Sequence, residues 1–451
     1  MQKICIFIFF NLILSAIILP QEIKDAPLDD IVFEDKENST SKYFRYRLFT
    51  ISYIDYNHLK SDLGSETSIL GQFFEKRGAR QEANGEFLFK IPGKFSFKTD
   101  VLAQYSTSFS ESTPLFKSGY HDYVRLNEFF IEALVAENLS FLAGKYRRIY
   151  TPGLFQNPLD LHNPVSALPG QPAKREGAYL AQINYFSDFK NSAFSSGEFT
   201  AAYLPMFYQN KYGIVSEKKD SFFTEETQAG VFRLSKERVK YSIKDSGAFL
   251  RLYLNLYKGD FNLIYYYLNR QNQGGISYAT YLKKYLELHG ETIFYEKSRY
   301  QFTAEQPKKN IFFDALIGSR IEYSDYTGFI IEYIWRDERP RSIPQNMNEK
   351  LTLFSALLNE SRAADFLTPL RDYLVLSFYI REIKDLYSLT LNAIYGLRDN
   401  ETFSSLRFDI KSGDTAMLSL TAAAALGDSG SFYGGMIPFD YKLSCEALIS
   451  F

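Results

Sequence analysis

From Phe95 to Tyr105 the chain reads FSFKTDVLAQY, and apolar and polar positions take turns. Phe95, Phe97, Val101, Ala103 and Tyr105 fall on one face, and Lys94, Ser96, Lys98, Asp100 and Gln104 on the other. A period of two predicts a β-strand with one apolar face. The pattern recurs. Leu250, Leu252, Leu254 and Leu256 oppose Arg251, Tyr253, Asn255 and Tyr257. Lys258-Gly259-Asp260 then turns the chain, and Phe261, Leu263, Tyr265 and Tyr267 begin a second strand, which predicts a tight hairpin. Phe313, Ala315, Ile317 and Ile321 oppose Asp314, Gly318, Arg320 and Glu322. Past Ser324-Asp325-Tyr326-Thr327-Gly328, Phe329, Ile331, Tyr333 and Trp335 oppose Glu332 and Arg336. Two more such strands flank Glu382-Ile383-Lys384-Asp385.

Short turns join these strands at one end, and longer segments join them at the other. The long connections are read at Lys60–Asn84, Ser106–Asp122, Thr151–Lys174, Gln209–Lys244 and Arg339–Thr368. Within the last, Asn348–Asp365 has helical spacing (Leu351, Phe354, Leu358) and predicts a short loop helix. Alternating runs of ten residues or so are too long for a sandwich, whose strands average about 5–6 residues. The expected fold is therefore all-β: a transmembrane antiparallel β-barrel of about 16–18 strands, with short periplasmic turns and long extracellular loops.

Composition sharpens this picture. The chain holds 34 Tyr and 41 Phe against one Trp, as expected for aromatic girdles around a barrel. Mean hydropathy is -0.23, yet alternation averages hydropathy away, so this value fits a barrel. After residue 20 no run of about 18 apolar residues occurs, which excludes a spanning helix there. Net charge is -2, so any charge-based function is local. His58, His121, His162 and His289 are scattered without metal-ligand spacing. No G-x-S-x-G, H-E-x-x-H or phosphate loop is present, so no catalytic constellation is expected. No nucleotide, metal or redox cofactor is implied, and no nucleic-acid partner.

The first residues, MQKICIFIFFNLILSAIILPQE, combine Lys3 with an apolar run from Ile4 to Leu19. This predicts a signal peptide over residues 1–21. Residues 22–42 read as a periplasmic leader and 43–451 as the barrel. Past residue 21 the only cysteine is Cys445, so no internal disulfide can form. It lies on the apolar face of the last strand and reads as a small hydrophobe. In that strand Tyr441, Leu443, Cys445, Ala447, Ile449 and Phe451 alternate with Lys442, Ser444 and Glu446. A terminal aromatic on such a strand resembles the assembly signal of bacterial outer-membrane barrels. That resemblance implies the barrel assembly machinery and outer-membrane lipid as partners, with Tyr441, Leu443, Ile449 and Phe451 carrying the signal.

One stretch breaks the pattern. GKYRRIYTPGLFQNPLDLHNP, Gly144 to Pro164, packs three prolines among three cations. Proline cannot donate to a ladder, so Pro152, Pro158 and Pro164 end strand pairing. Irregular backbone at membrane depth is tolerated only inside protein or against water. Leu154, Phe155, Leu159 and Leu161 supply packing anchors, and Asn157, Asp160, His162 and Asn163 supply hydrogen bonds. The expectation is a constriction loop folded into the lumen, with an ordinary external loop as the plainer reading. Lys145, Arg147, Arg148, Lys174 and Arg175 would lie near it, partly paired with Glu128, Glu132 and Glu176. Other arginines on polar faces, Arg320 and Arg336 among them, could add charge to the lumen, where charged rings select permeants by sign.

Gly144, Lys145, Gly153, Leu154, Phe155, Asn157, Pro158, Asp160, Asn163, Pro164, Arg175, Glu176 and Gly177 together resemble a pattern in porin-like families related to the alginate-export channels of diderm bacteria. Tyr150-Thr151-Pro152 stands where those families carry Trp-Gly. The resemblance covers about 60 residues. It implies an outer-membrane porin-like channel for passive or weakly selective diffusion of small hydrophilic solutes, anionic ones included. Two other readings stay open: a non-conducting barrel that presents its loops as an adhesin or interaction surface, and a polysaccharide export conduit.

Overall fold

The computed structural model describes residues 44–59, 77–91, 95–108, 122–153, 158–161, 165–166, 174–175, 177–189, 194–206, 211–216, 232–237, 246–256, 259–268, 271–283, 285–296, 311–339, 368–383, 386–413, 415–428, 431–433 and 439–450. The predicted signal and leader, the loop helix at Asn348–Asp365 and Phe451 lie outside these residues.

The strands are β1 (Phe44–Leu59), β2 (Arg77–Ile91), β3 (Phe95–Ser108), β4 (Asp122–Ala136), β5 (Leu139–Tyr146), β6 (Val165–Ser166), β7 (Lys174–Arg175), β8 (Ala178–Asp188), β9 (Phe194–Met206), β10 (Lys211–Ser216) and β11 (Phe232–Glu237). They continue with β12 (Gly247–Leu256), β13 (Gly259–Leu268), β14 (Gln271–Lys283), β15 (Leu286–Tyr295), β16 (Phe312–Ser324), β17 (Thr327–Arg336), β18 (Asp372–Ile383), β19 (Tyr387–Gly396), β20 (Glu401–Ser412), β21 (Ala416–Leu426) and β22 (Phe439–Ser450). Among the described residues, 18 of them form one sheet, while β6–β7 and β10–β11 are separate small ladders in connections. Every neighbouring pair in the large sheet is antiparallel. The sheet closes where β22 pairs with β1, Ile54 opposite Cys445. Closure leaves no edge strand, so the backbone of the wall is hydrogen-bonded within the protein, which a bilayer demands.

Alternation sets the two faces. Leu250, Leu263, Tyr265, Tyr267, Ile276, Tyr278, Ile317, Leu406, Leu420 and Leu443 are exposed on the outside. Arg251, Asn262, Ser277, Glu332 and Ser419 are buried on the inside. Exposed tyrosines stand near both strand ends, Tyr281, Tyr285, Tyr323 and Tyr326 at the short turns, and Tyr179, Tyr203 and Tyr267 at the opposite rim. This is the girdle arrangement of a barrel that spans a bilayer. Ile317, in the middle of β16, is 64% exposed on the outer face. Ile317→Arg is expected to cost about 2–4 kcal/mol in folding into lipid vesicles, the cost of a cation at the bilayer midplane. Denaturant titration of the bilayer-inserted protein checks this.

Eight connections at one end, where β1 begins and β22 ends, are two to five residues long. Most of those at the other end are long, but only two residues separate β13 from β14 there, and 397–400 form a tight turn. One sequence expectation needs correction. Lys60–Asn84 is not loop throughout, because β2 already starts at Arg77 and pairs with β1 from Tyr56 back to Phe44. Small residues such as Ala83 and Gly85 hold its outer register positions, so the hydrophobic half of the alternation is faint. Gly144 has φ 134°, and a Cβ there would collide with the Phe129 backbone. Only glycine fits that crowded conformation, just before the chain leaves the wall.

Candidate functional site: a proline-rich segment folded into the barrel

The chain leaves β5 after Tyr146 and turns inward along the wall. Tyr150 is 6% exposed. Its hydroxyl donates to Gln182 Oε1 on β8 at 3.0 Å, and its ring lies 5.8 Å from that of Phe249 on β12. The guanidinium groups of Arg148 and Arg251 sit 5.0 and 4.6 Å from the centre of that ring. Both reach one carboxylate. Arg251 Nη1 is 2.9 Å from Glu198 Oε2 on β9, and Arg148 Nη2 is 3.4 Å from the same oxygen. Arg251 Nε also donates to Asn262 at 2.9 Å, and Asn262 donates to Ser277 at 3.1 Å. Behind Tyr150, Gln182 donates to Asn184, which donates to Ser140. A buried polar network with its members bonded holds its geometry firmly. Burial pushes the Tyr150 phenol above its usual pKa, against the opposing pull of Arg148 and of the Gln182 hydrogen bond.

Farther along, the segment meets β13, β14 and β15. Glu291 on β15 is 3% exposed and accepts the Gly153 N–H at 2.5 Å and the Leu159 N–H at 3.5 Å. Each donor follows a proline, Pro152 or Pro158. A proline brings no N–H and fixes its own φ, so the next amide is the first that can be offered to the wall. The Tyr266 hydroxyl donates to the Leu159 carbonyl at 2.8 Å. Leu159 is fully buried, and Leu161 and Tyr150 join it in a cluster with Leu142, Leu180, Leu204, Phe249, Ile264, Tyr266 and Ile293. A side chain at Gly275 would strike Leu159, so that glycine makes room for the segment.

These inner apolar residues depart from a simple polar-inside reading. The inner wall is apolar where the segment covers it. The sequence carries a sign of this: Leu263 to Leu268 reads LIYYYL, apolar on both faces at once. Ile293-Phe294-Tyr295 and Phe312-Phe313 show the same sign at their strand ends. Such runs mean a strand buried on both sides.

A second short segment does likewise. Phe432 and Tyr433 are fully buried. The Tyr433 N–H donates to Glu401 on β20 at 2.7 Å, and the Tyr373 hydroxyl reaches the same carboxylate at 2.9 Å. Sequence reading assigned nothing to this stretch. A third charged group lies on β15 to β17. His289 is flanked by Glu332 at 3.1 Å and Glu287 at 3.4 Å, and Glu287 also pairs with Arg320.

The sequence candidates fall in several places. Glu128 is buried, pairs with Lys98 at 2.7 Å and accepts the Arg147 N–H at 3.1 Å. Glu132 accepts from Ser96 at 3.3 Å. Arg148 and the buried Asp160 belong to the inward segment. Lys145 shares its register with Phe129 and Tyr179, both exposed on the outer face, and its Nζ lies 5.6 Å over the Tyr179 ring. The inward neighbour is Tyr146, packed on Phe130. Arg320 pairs with Glu287 and Glu322 on a separate part of the wall. Arg336 donates to the Thr368 carbonyl at the base of the β17–β18 connection. Asn157, His162 and Glu176 lie outside the described residues, and of Arg175 only the backbone in β7 is described. Tyr441 and Leu443 are exposed on the outer face of β22, and Ile449 is half-buried. Glu198, Glu291 and Glu401 were not anticipated, since an inward Glu on an alternating strand looks like any other.

No protein-family model matches the chain, and no curated protein does. Solved structures do. Pseudomonas aeruginosa OccK11 (OpdR) is 10% identical over 90% of this chain and 95% of its own, with a TM-score of 0.49. Acinetobacter baumannii OccAB4 is 10% identical over 91% of this chain and 98% of its own, also at 0.49. A substituted Rh. blastica porin is 8% identical over 90% of this chain and 100% of its own, at 0.41. The barrel assignment stands on the strand pairings of this chain.

Proposed function

We propose that this protein is an outer-membrane channel for the passive, weakly selective diffusion of small hydrophilic solutes. The observation that carries the reading is the closed 18-stranded antiparallel barrel, apolar outside and lined by ionisable and polar groups inside. Barrels of this strand number leave an aqueous channel. Bilayer lipid then surrounds the apolar belt, and the barrel assembly machinery inserts the chain. In this reading the inward segment narrows the lumen, and Glu128, Glu132, Arg147, Arg148 and Asp160 belong to that narrowing or its supports.

Selectivity by sign is weak in this reading because the charges come in pairs. Arg148 and Arg251 share Glu198, Lys98 pairs with Glu128, and Arg407 pairs with Asp409. Mixed charge screens neither sign strongly. The finer kinship with alginate-export-related channels rests on the Gly144–Gly177 pattern alone.

Planar-bilayer recording of the purified protein tests the proposal. Steady ohmic steps with a reversal potential near zero in a salt gradient are expected. A folded, heat-modifiable barrel that carries no current would overturn the channel reading and leave the loop-presenting surface protein.

A further inference from the structure

We infer that Glu291 is the positioning residue of the channel: its carboxylate, on the far wall, sets how far residues 150–153 and 158–161 stand into the lumen. The inference rests on the channel reading above for its effect on permeation, though not for the contact itself.

Along its described length the segment is tied at its start and again around Gly153 and Leu159, where the Tyr266 hydroxyl also holds the Leu159 carbonyl. At its start, Tyr150 is held by Gln182 and stacked between Arg148 and Arg251. Beyond that, the Gly153 and Leu159 N–H groups both donate to Glu291. The Thr151 side chain bonds the same carboxylate. Two amides six residues apart therefore meet at one side chain, and fixing both fixes the chord between them. Among the described residues no cation pairs with Glu291. Backbone and hydroxyl donors satisfy it, whereas Glu198 and Glu128 also serve ion pairs. A carboxylate offers up to four acceptor sites and can take both amides at once. Here the two amides use different oxygens, and an amide in its place would turn an N–H₂ toward one of those donors.

The fold uses the device at other strand carboxylates among the described residues: Glu128 accepts the Arg147 N–H at 3.1 Å. Glu401 accepts the Tyr433 N–H of the other inward segment in the same way. A buried strand carboxylate that accepts loop amides is thus how this wall holds irregular backbone against itself. Buried N–H groups need such acceptors wherever no strand partner is present.

The test compares the full-length wild type with Glu291→Gln and Glu291→Leu. Leucine keeps the packing volume and removes both acceptors, while glutamine restores one. Amide exchange is followed at Gly153 and Leu159, with Tyr433 as an internal reference, and single-channel conductance is recorded in parallel. Exchange at 153 and 159 should rise roughly tenfold in Glu291→Leu, the worth of a buried hydrogen bond. It should rise less in Glu291→Gln, and Tyr433 should not change. Conductance should increase in the same order. Unchanged exchange at 153 and 159 would overturn the inference, and so would an equal rise at Tyr433, which reports general loosening of the barrel. Faster local exchange in a protein that never conducts would uphold the role of Glu291 and reject the channel.

Discussion

Replacing residues 147–177 by a tight Asn-Gly turn will raise single-channel conductance several-fold while the barrel still assembles. Tyr146 and Ala178 face each other at the end of the β5–β8 ladder. Two-residue turns of this kind close antiparallel strands without splaying them, so the connection can be shortened without moving either strand. The deletion removes Tyr150, Leu159 and Leu161 from the inner wall and uncovers an apolar strip from Phe249 to Tyr295. That strip would then face water, and some stability is lost with it. The wall ladder, hydrogen-bonded independently of the segment, should persist. Heat-modifiable migration and strand-rich circular dichroism report assembly, and current steps report the aperture. An assembled variant with wild-type conductance would place the permeation path away from this segment.

Arg251→Ala is expected to be among the most destabilising single substitutions of the inner wall, costing about 3 kcal/mol. Arg251 and Glu198 are 5% and 6% exposed. Removing one partner of a buried pair costs about 3–5 kcal/mol, because the other charge stays buried. The lower end applies here, since Arg148 and Thr200 still reach Glu198. Asn262 also loses its donor. Adding Glu198→Gln to Arg251→Ala should recover much of the loss, and this double-mutant cycle separates the pair from the rest of the network. Denaturant unfolding in detergent supplies the numbers. Additive losses from the two substitutions would show that the two side chains do not act as a unit.

How far the sequence leads can be judged residue by residue. Leu250 to Leu256 and Phe261 to Tyr267 mark the outer face because lipid accepts only apolar side chains, and the period of two leaves no freedom once one face is set. Lys258-Gly259-Asp260 marks the β12–β13 connection for the same local reason, although Gly259 and Asp260 already pair with Leu256 and Asn255 in the ladder. The prolines of the Gly144–Pro164 stretch forbid a ladder on their own. Gly144, singled out by a family resemblance, has a physical cause in its positive φ and the backbone of Phe129 against it.

Other features depend on what lies across the barrel. Glu291 and Gly153 are separated by 138 positions in the chain, and nothing local to HGETIFY distinguishes this glutamate from Glu287. The two-faced apolar runs at Leu263–Leu268 and Ile293–Tyr295 announce that something covers the inner wall, without saying what. Lys145 looks like a lumen cation beside Arg147 and Arg148. One residue of register places it instead beside Phe129 and Tyr179.

The sequence by itself determined a strand-only, antiparallel, two-faced wall, its tight turns and the place where the wall must break, because each of these is enforced within a few neighbouring residues. The tertiary structure alone decided that the wall closes through Ile54 and Cys445, that the broken segment turns inward, and which carboxylates hold it. Those outcomes rest on hydrogen bonds and contacts between residues far apart in the chain, and a buried amide takes whichever acceptor closure brings to it.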